Sequence, residues 1–385
     1  MRSTARLPLR AALAVLVAVL AVVLGLRAAA PPAVENNTLP DRLTDQQFWQ
    51  LSSDLSEPNG FFRSDNLVSN EHTFQYVVPA LRKQIKPGGV YLGVAPDQNF
   101  TYILATMPRL AFIVDVRRGN LLEQLMYKAL IELSPDRAAF VSRLFSKPRP
   151  AGLKADATAA EIFAAYAAVG TREDLFGQNL RAVKDLLTQR HGFRLSPDDI
   201  AQLEDIYMAF FWDGPELRYS MPGMGVRGRM MNFPSYADLV TATDAAGTPR
   251  SYLASEAQYR ALKSLEERNL IVPVVGNFAG PKALRGVGRY VREHGAIVSA
   301  FYVSNVEQYL FQDGLFDAFA KNVATLPLDD TSTFIRSVWS RFGYEGKEPL
   351  GPDGRATALY PMKAFVDDFE AGRLTSYFDV NQRSR

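Results

Sequence analysis

Short unbroken apolar runs alternate along this chain with segments in which apolar residues recur every three or four positions. The runs have the length of strands buried on both faces, and they lie at Val90–Val94, Leu110–Val116, Leu270–Val275 and Ala296–Val303. The segments with a three-to-four-residue spacing are typical of helices packed on one side. This alternation predicts an α/β fold, with a Rossmann-like, mostly parallel sheet and helices on both faces.

Helical spacing dominates the chain from about residue 134 to 250, which predicts a long helical insertion after the second strand. A capping box at Thr44–Gln47 predicts a leading helix, and residues 71–86 have helical spacing interrupted by a proline. Later strands are expected at Phe334–Val338 and Leu374–Val380, with a helix at Tyr360–Glu370 between them.

The N-terminus has the pattern of a signal peptide or a single membrane anchor. Ala11–Leu26 is uninterrupted by polar residues, follows three arginines and precedes three alanines at positions 28–30. We therefore divide the chain into a leader (1–30), a linker with the leading helix (31–60) and an α/β domain (61–385). The basic flank predicts export, with the body periplasmic or anchored to the inner membrane facing outward.

Charge and composition exclude several classes of protein. The 385 residues carry a formal charge of +2, but four arginines lie in residues 1–27, and the rest has 39 basic against 41 acidic residues. That balance offers no bulk electrostatic attraction for nucleic acid, so we expect no nucleic-acid partner. Membrane contact is expected only through the leader. The absence of cysteine excludes disulfides and thiolate ligands, and the three histidines lack metal-ligand spacing, so we expect no metal.

A glycine and an acid follow the first two predicted strands. Gly93 lies at the end of the first strand, and Asp115 ends the second strand 22 residues later. In nucleotide-binding Rossmann units, such a glycine admits the ligand to the backbone and such an acid binds the ribose hydroxyls. The alternative is that Gly93 serves only a tight turn and Asp115 caps the next helix.

The charges near this turn distinguish between ligands. Asp97 begins the next helix, where a pyrophosphate would meet its negative charge. S-adenosylmethionine has an amino group and no phosphate, so it tolerates an acid there. Arg117 and Arg118 have two interpretations: they bind a 2′-phosphate, as in NADP, or they are a solvated pair on the surface.

A GxGxxG match at residues 223–228 has no preceding strand, and we interpret it as a loop.

Three segments resemble a known family: GVYLGVAPDQNFTYI (89–103), AFIVDVRRGNLLEQLMYKAL (111–130) and FYVSNVEQYLF (301–311). They are similar to a family of largely uncharacterised bacterial proteins, some exported, with a class I methyltransferase-like Rossmann fold. The resemblance implies S-adenosylmethionine as cofactor, with Asp115 on the ribose. It also implies a pocket lined by Gly93, Asp97, Gln98 and Asn99. Members often carry glycine where this chain has Ala95.

Sheet topology adds further candidates, because ligands of open α/β sheets bind at the carboxyl ends of the strands. Polar residues follow the later strands or precede the first one; they are Asn277, Asn305, Glu307, Tyr309 and Glu71. We assign Glu307 and Tyr309 as candidate catalytic residues, with Glu307 as a general base for a hydroxyl or amine acceptor. Asn277, Asn305, Glu71 and Arg117 are candidate cofactor contacts.

Two functions from different classes fit these features. The first is an S-adenosylmethionine-dependent methyltransferase of unknown substrate. The second is an exported, non-catalytic protein that uses the same pocket for another small ligand or for a cell-envelope partner. The leader favours the second, because it would separate the domain from the cytoplasm, where the cofactor is made.

Overall fold

The computed structural model describes residues 37–220 and 233–384. The chain divides into two units, Met1–Asn37 and Thr38–Arg385, and the description below concerns the second. The predicted leader and the GxGxxG match at 223–228 lie outside the described residues. Within the described ranges, no helix combines the length and apolar character needed to cross a membrane.

The centre of the fold is one six-stranded sheet. Its strands are β1 (Val90–Gly93), β2 (Leu110–Asp115), β3 (Ile271–Val275), β4 (Val298–Ser304), β5 (Thr333–Trp339) and β6 (Arg355–Pro361). They lie in the order β3-β2-β1-β4-β5-β6. The first five are parallel, and β6 is antiparallel to β5. The order therefore reverses between β1 and β4, and the fold is a Rossmann-like α/β fold.

Helices connect and cover the strands. Every residue of β1, β2 and β3 is buried, which requires cover on both faces because successive side chains alternate. Before β2 these helices are α1 (Asp45–Leu55), α2 (Val78–Gln84) and α3 (Gln98–Thr106). Between β2 and β3 they are α4 (Arg118–Glu132), α5 (Arg137–Leu144), α6 (Ala159–Ala167), α7 (Glu173–Asp185), α8 (Pro197–Asp213), α9 (Tyr236–Thr241) and α10 (Glu256–Glu267). After β3 they are α11 (Ala283–Glu293), α12 (Val306–Gln312), α13 (Phe316–Val323), α14 (Met362–Glu370) and α15 (Tyr377–Arg383).

The leading helix α1 is fixed at both its start and its buried face. Thr44 forms the capping box with Gln47 that the sequence predicts. Phe48 and Leu55 are buried, and the Ser52 hydroxyl donates to the Pro273 carbonyl of β3 at 2.5 Å. A buried hydroxyl bond of this kind joins the segment before the sheet to an outer strand.

Most predicted strands are confirmed within two residues as β1 to β5. The strand expected at Leu374–Val380 is wrong, because α15 occupies this region. Ser376 caps α15 and forms a capping box with Asp379, a pattern that the sequence contains. The sixth strand is instead Arg355–Pro361. The helix expected over residues 71–86 is confined to α2, with Pro79 in its first turn, where proline is tolerated.

The helical insertion joins the leading segment through His191. One ring nitrogen lies 2.9 Å from an Asp45 carboxylate oxygen, and the other lies 2.9 Å from a Glu132 carboxylate oxygen. These two carboxylates raise the pKa of His191, although its partial burial opposes them. His191 therefore has a structural role, because it links two elements through their carboxylates.

A buried ion pair lies beside the later strands. Arg336 of β5 donates to Glu307 at 2.7 Å, and both side chains are about 1% exposed. The guanidinium also lies over the rings of Phe334 and Tyr360, 4.7 and 4.8 Å from their centroids. Removing one member of such a pair leaves the other charge buried without a partner.

We predict that Glu307→Gln lowers the free energy of unfolding by ~3 kcal/mol, because Arg336 then loses its buried counter-ion. Urea denaturation measures this change. Glu293→Gln is the matched control, since Glu293 is exposed in the last turn of α11 and should change stability by less than ~0.5 kcal/mol. A loss below ~1 kcal/mol in Glu307→Gln would contradict the importance of the pair.

Candidate ligand-binding site

A groove lies at the carboxyl ends of β1, β2, β3 and β4, where the strand order reverses. Its empty volume, including the open mouth, is about 770 Å³. Residues from all four strand ends line it, among them Ala95, Asp115, Asn277, Asn305 and Tyr309. This position is where open α/β sheets bind ligands.

The turn after β1 is held by Asn99. Its side-chain amide donates to the carbonyls of Val94 at 2.8 Å and of Pro96 at 2.7 Å, and its oxygen accepts from Tyr91 at 2.8 Å. A Cβ on Gly93 would lie 1.9 Å from that oxygen. Gly93 is therefore glycine because Asn99 occupies the adjacent space. Neither residue lines the groove, so both support its wall.

Three groove residues other than glycine have left-handed backbone conformations: Asn66, Ala95 and Ser304. Ala95 has a φ of 65° and Ser304 has a φ of 52°. Such conformations cost roughly 1–2 kcal/mol each, and they concentrate at functional sites. Ala95 follows β1 and Ser304 ends β4, and these are the two strands between which the order reverses. A glycine at position 95 would adopt this conformation without that cost.

Asp115 forms a two-point ion pair with Arg117. One carboxylate oxygen accepts from the Arg117 backbone N–H at 2.9 Å and from Nε at 3.0 Å, and the other accepts from Nη2 at 2.8 Å. The remaining Nη1 donates to the carbonyls of Ser64 and Asp65. A carboxylate offers about four acceptor positions, so roughly one remains for a ligand hydroxyl.

Arg118 is also paired. It donates to both carboxylate oxygens of Asp199 on α8, at 2.8 and 3.0 Å. Both arginines that were candidates for binding a 2′-phosphate therefore already bind carboxylates. In the described part of the chain, the charged residues that line the groove are Arg117, Asp115 and Asp313. This balance is unfavourable for a phosphate group.

Asp97 and Gln98 begin α3 but do not line the groove. Asp97 is buried and accepts from the Tyr252 hydroxyl at 3.1 Å. Burial raises the pKa of Asp97 to about 7, although the Tyr252 hydroxyl opposes that shift. The Gln98 amide donates to Glu71 at 3.0 Å. Asp97 therefore joins the end of the insertion to the sheet, and Gln98 contacts Glu71, another candidate residue.

Glu71 lines a smaller, polar pocket next to the groove. The two share Ala95, Ser304, Asn305 and Tyr309, among other residues. The Glu71 carboxylate accepts from the Tyr302 hydroxyl at 2.8 Å and from the Ser304 hydroxyl at 2.5 Å. Two residues at the end of β4 thus hold the Glu71 carboxylate at this pocket.

The other candidates divide into two groups. Asn277, Asn305 and Tyr309 line the groove, and the Arg63 guanidinium lies over the Tyr309 ring, 4.7 Å from its centroid. Glu307 does not line the groove or the smaller pocket, because its carboxylate binds Arg336 in the core. The structure therefore gives Glu307 a position unsuited to a general base, while Tyr309 faces the groove.

Sequence reasoning missed the aromatic part of the lining. Phe61, Phe62 and Phe278 line the groove with Tyr309, and Phe61 is 88% exposed. The phenylalanine pair directly follows Pro58-Asn59-Gly60, a signal for a turn and not for a site. A second chamber on the other side of the pair is bounded by α8, through Gln202, Asp205 and Ile206.

A metal site was not expected from the sequence. In residues 37–220 and 233–384, no three His, Asp or Glu side chains are grouped so that they could hold a metal ion.

Comparison with known families gives one match. A family model described as a domain of unknown function, DUF7790, matches residues 66–213 and 215–363, which is well over half of the chain. No protein of curated function matches the chain. The match agrees with the resemblance to an uncharacterised family and covers both the sheet and most of the insertion.

We predict that the free energy of unfolding of Asp97→Asn increases, relative to that of the parent chain, as pH rises. An aspartate titrates near 3.9 when unfolded, and the pKa of Asp97 is about 7 when folded. Between these values the folded state binds more protons, so the stability of the parent chain falls as pH rises through this window. The variant does not titrate there and lacks this loss.

Urea denaturation at pH 4 and pH 8 measures the effect. The stability of Asp97→Asn relative to the parent should increase by ~2–4 kcal/mol over this range. The exposed Asp317 gives the control variant Asp317→Asn, which should show no such trend. A pH-independent difference for Asp97→Asn would show that its carboxyl is not held neutral.

Proposed function

This chain belongs to the family of the DUF7790 domain of unknown function, and we propose that it binds S-adenosylmethionine, or a closely similar nucleoside, as a methyltransferase-like protein. The observation that carries this proposal is the groove at the strand reversal, with Asp115 at the end of β2 and a net negative lining.

The position of Asp115 supports a ribose-containing ligand. Its carboxylate lies at the groove, and Arg117 fixes the orientation of both oxygens. A ribose hydroxyl donates a hydrogen bond, which suits the remaining acceptor position of this carboxylate. An acid at the end of the second strand has this role in nucleotide-binding Rossmann units.

The charge of the lining favours a cationic ligand. Among the described residues, the groove and the smaller pocket together present the carboxylates of Asp115, Asp313 and Glu71 and the guanidinium of Arg117. S-adenosylmethionine carries a sulfonium and an ammonium against one carboxylate. A dinucleotide carries a pyrophosphate, which this surface would repel.

The aromatic lining suits a nucleobase. Phe61, Phe62 and Phe278 surround the groove near Asn277, which follows β3. A base can stack on such rings, and contacts between aromatic groups contribute ~0.5–1.5 kcal/mol beyond the area they bury. Adenine would then lie toward β3, with the ribose at β2.

The methyl group would transfer by direct displacement. The acceptor forms a bond to the methyl carbon as the sulfur–carbon bond breaks, so the protein must mainly align the two molecules. The position of Glu307 in the core does not oppose this chemistry, because a base is not required for every acceptor. The chamber bounded by α8 provides space for an acceptor near the groove.

The non-catalytic alternative is favoured by that same position of Glu307, since its carboxylate lies away from the groove. In this version the groove holds the ligand without transferring a group, in a protein exported by residues 1–30. Ligand binding is common to both versions, and methyl transfer separates them.

We expect the full chain to bind S-adenosylmethionine with a dissociation constant near 1 µM, about −8 kcal/mol, and NADP much more weakly. Calorimetric titration measures both. Asp115→Ala should abolish detectable binding, while Asp317→Ala, which changes an exposed aspartate, should not. Heat from NADP and none from S-adenosylmethionine would overturn the proposal.

Phe61→Ala separates binding from folding. Because Phe61 is 88% exposed, truncating its side chain should leave the melting temperature within about 2 °C of the parent. Loss of the stacking contact should weaken binding of S-adenosylmethionine by about tenfold. Unchanged affinity would show that Phe61 does not stack on the bound ligand.

A further inference from the structure

Glu71 is a buried carboxylate whose partners are all neutral. It is 2% exposed, and it accepts hydrogen bonds from Gln98 on one oxygen and from Tyr302 and Ser304 on the other. Three donors converge on the two oxygens, as expected for an ionised carboxylate, which only accepts. The donors therefore orient the group without balancing its charge.

No cationic side chain in the described part of the chain pairs with Glu71. Arg117 and Arg336, both buried, are paired with Asp115 and Glu307. Buried charges in proteins are normally paired, because removing an ion from water carries a large free-energy cost. Beside Glu71, the Gln98 side-chain oxygen is also buried and without a partner in the described residues. The site therefore contains a negative charge and a spare acceptor.

The pocket that Glu71 lines is distinct in character from the groove. Its lining is largely polar and includes Ser69, Asn70, Tyr302 and Asn305. Its empty volume, including the mouth, is about 390 Å³, which is about half that of the groove. A small polar pocket with a carboxylate suits the charged end of a ligand and not an aromatic ring.

The distance between the two acids matches one extended ligand. Asp115 ends β2, and Ser304, which donates to Glu71, ends β4. Only β1 separates these strands, so their ends are two strand spacings apart, about 10 Å. A nucleoside with its ribose at Asp115 would direct its 5′ substituent across Ala95 toward Glu71.

We infer that Glu71 binds a primary ammonium group, the amino-acid end of the ligand whose ribose lies at Asp115. This inference rests on the proposed function and specifies the second half of the ligand. Tyr302 and Ser304 position the carboxylate, and the ammonium supplies its missing counter-charge. A ligand lacking that group would bind in the groove without using Glu71.

The test compares two ligands on Glu71→Gln. S-adenosylmethionine has the amino-acid end, and 5′-methylthioadenosine has the same nucleoside without it. The variant should weaken S-adenosylmethionine binding at least 30-fold and 5′-methylthioadenosine binding less than twofold. Glu293→Gln, the same change at an exposed site, should affect neither. Equal effects on both ligands, or no effect on either, would overturn the inference.

Thermal melting without ligand provides a readout that a structural role would not give. Glu71→Gln removes a buried charge without a counter-ion, so its melting temperature should equal or exceed that of the parent. If the variant does not fold, Tyr302→Phe replaces it: loss of one orienting donor should weaken S-adenosylmethionine selectively, by about fivefold. A Tyr302→Phe protein with unchanged selectivity would count against the inference.

Failure of the proposed function would be visible separately. In that case neither nucleoside binds the parent chain, and butylamine becomes the probe in ligand-observed NMR. Binding of butylamine to the parent and not to Glu71→Gln would retain the ammonium site for a free amine. No difference between the two proteins would overturn the site itself.

Discussion

The reversal of strand order between β1 and β4 is the constraint on which the rest of the structure depends. Connections from β1 proceed toward β2 and β3 on one side, and β4 and β5 lie on the other. The strand ends at this point therefore face an open crevice. Ala95 and Ser304, both left-handed, shape its two edges, and the main polar contacts of the groove surround them.

Charge is distributed unevenly around that crevice. Asp115 and Glu307 have arginine partners, whereas Glu71 has only neutral donors. Beside the groove, Glu71 is therefore a buried acid without a counter-ion among the described residues. A buried carboxylate without a counter-ion costs stability, and its position beside the groove gives it access to a cationic ligand.

The sequence predicts the five parallel strands but not β6, because buried parallel strands form continuous apolar runs. It also identifies Asp115, Asn277, Asn305 and Tyr309 as residues near strand ends, and these line the groove. It could not show that Asn99 holds the β1 turn or that Glu307 binds Arg336. Both depend on side-chain contacts made over the turn or between β5 and α12, which spacing along the chain does not encode. The error at Leu374–Val380 has a local cause, since the capping box at Ser376 predicts a helix more strongly than apolar content predicts a strand.

The most direct measurement is a crystal structure of the full chain with S-adenosylhomocysteine, which keeps the ribose and the ammonium but has no methyl group to transfer. The account predicts the ribose at Asp115, the base among Phe61, Phe62 and Phe278, and the ammonium within 3.2 Å of a Glu71 oxygen, a normal hydrogen-bond distance. A ligand bound outside the groove, or one with its amino group away from Glu71, would contradict it.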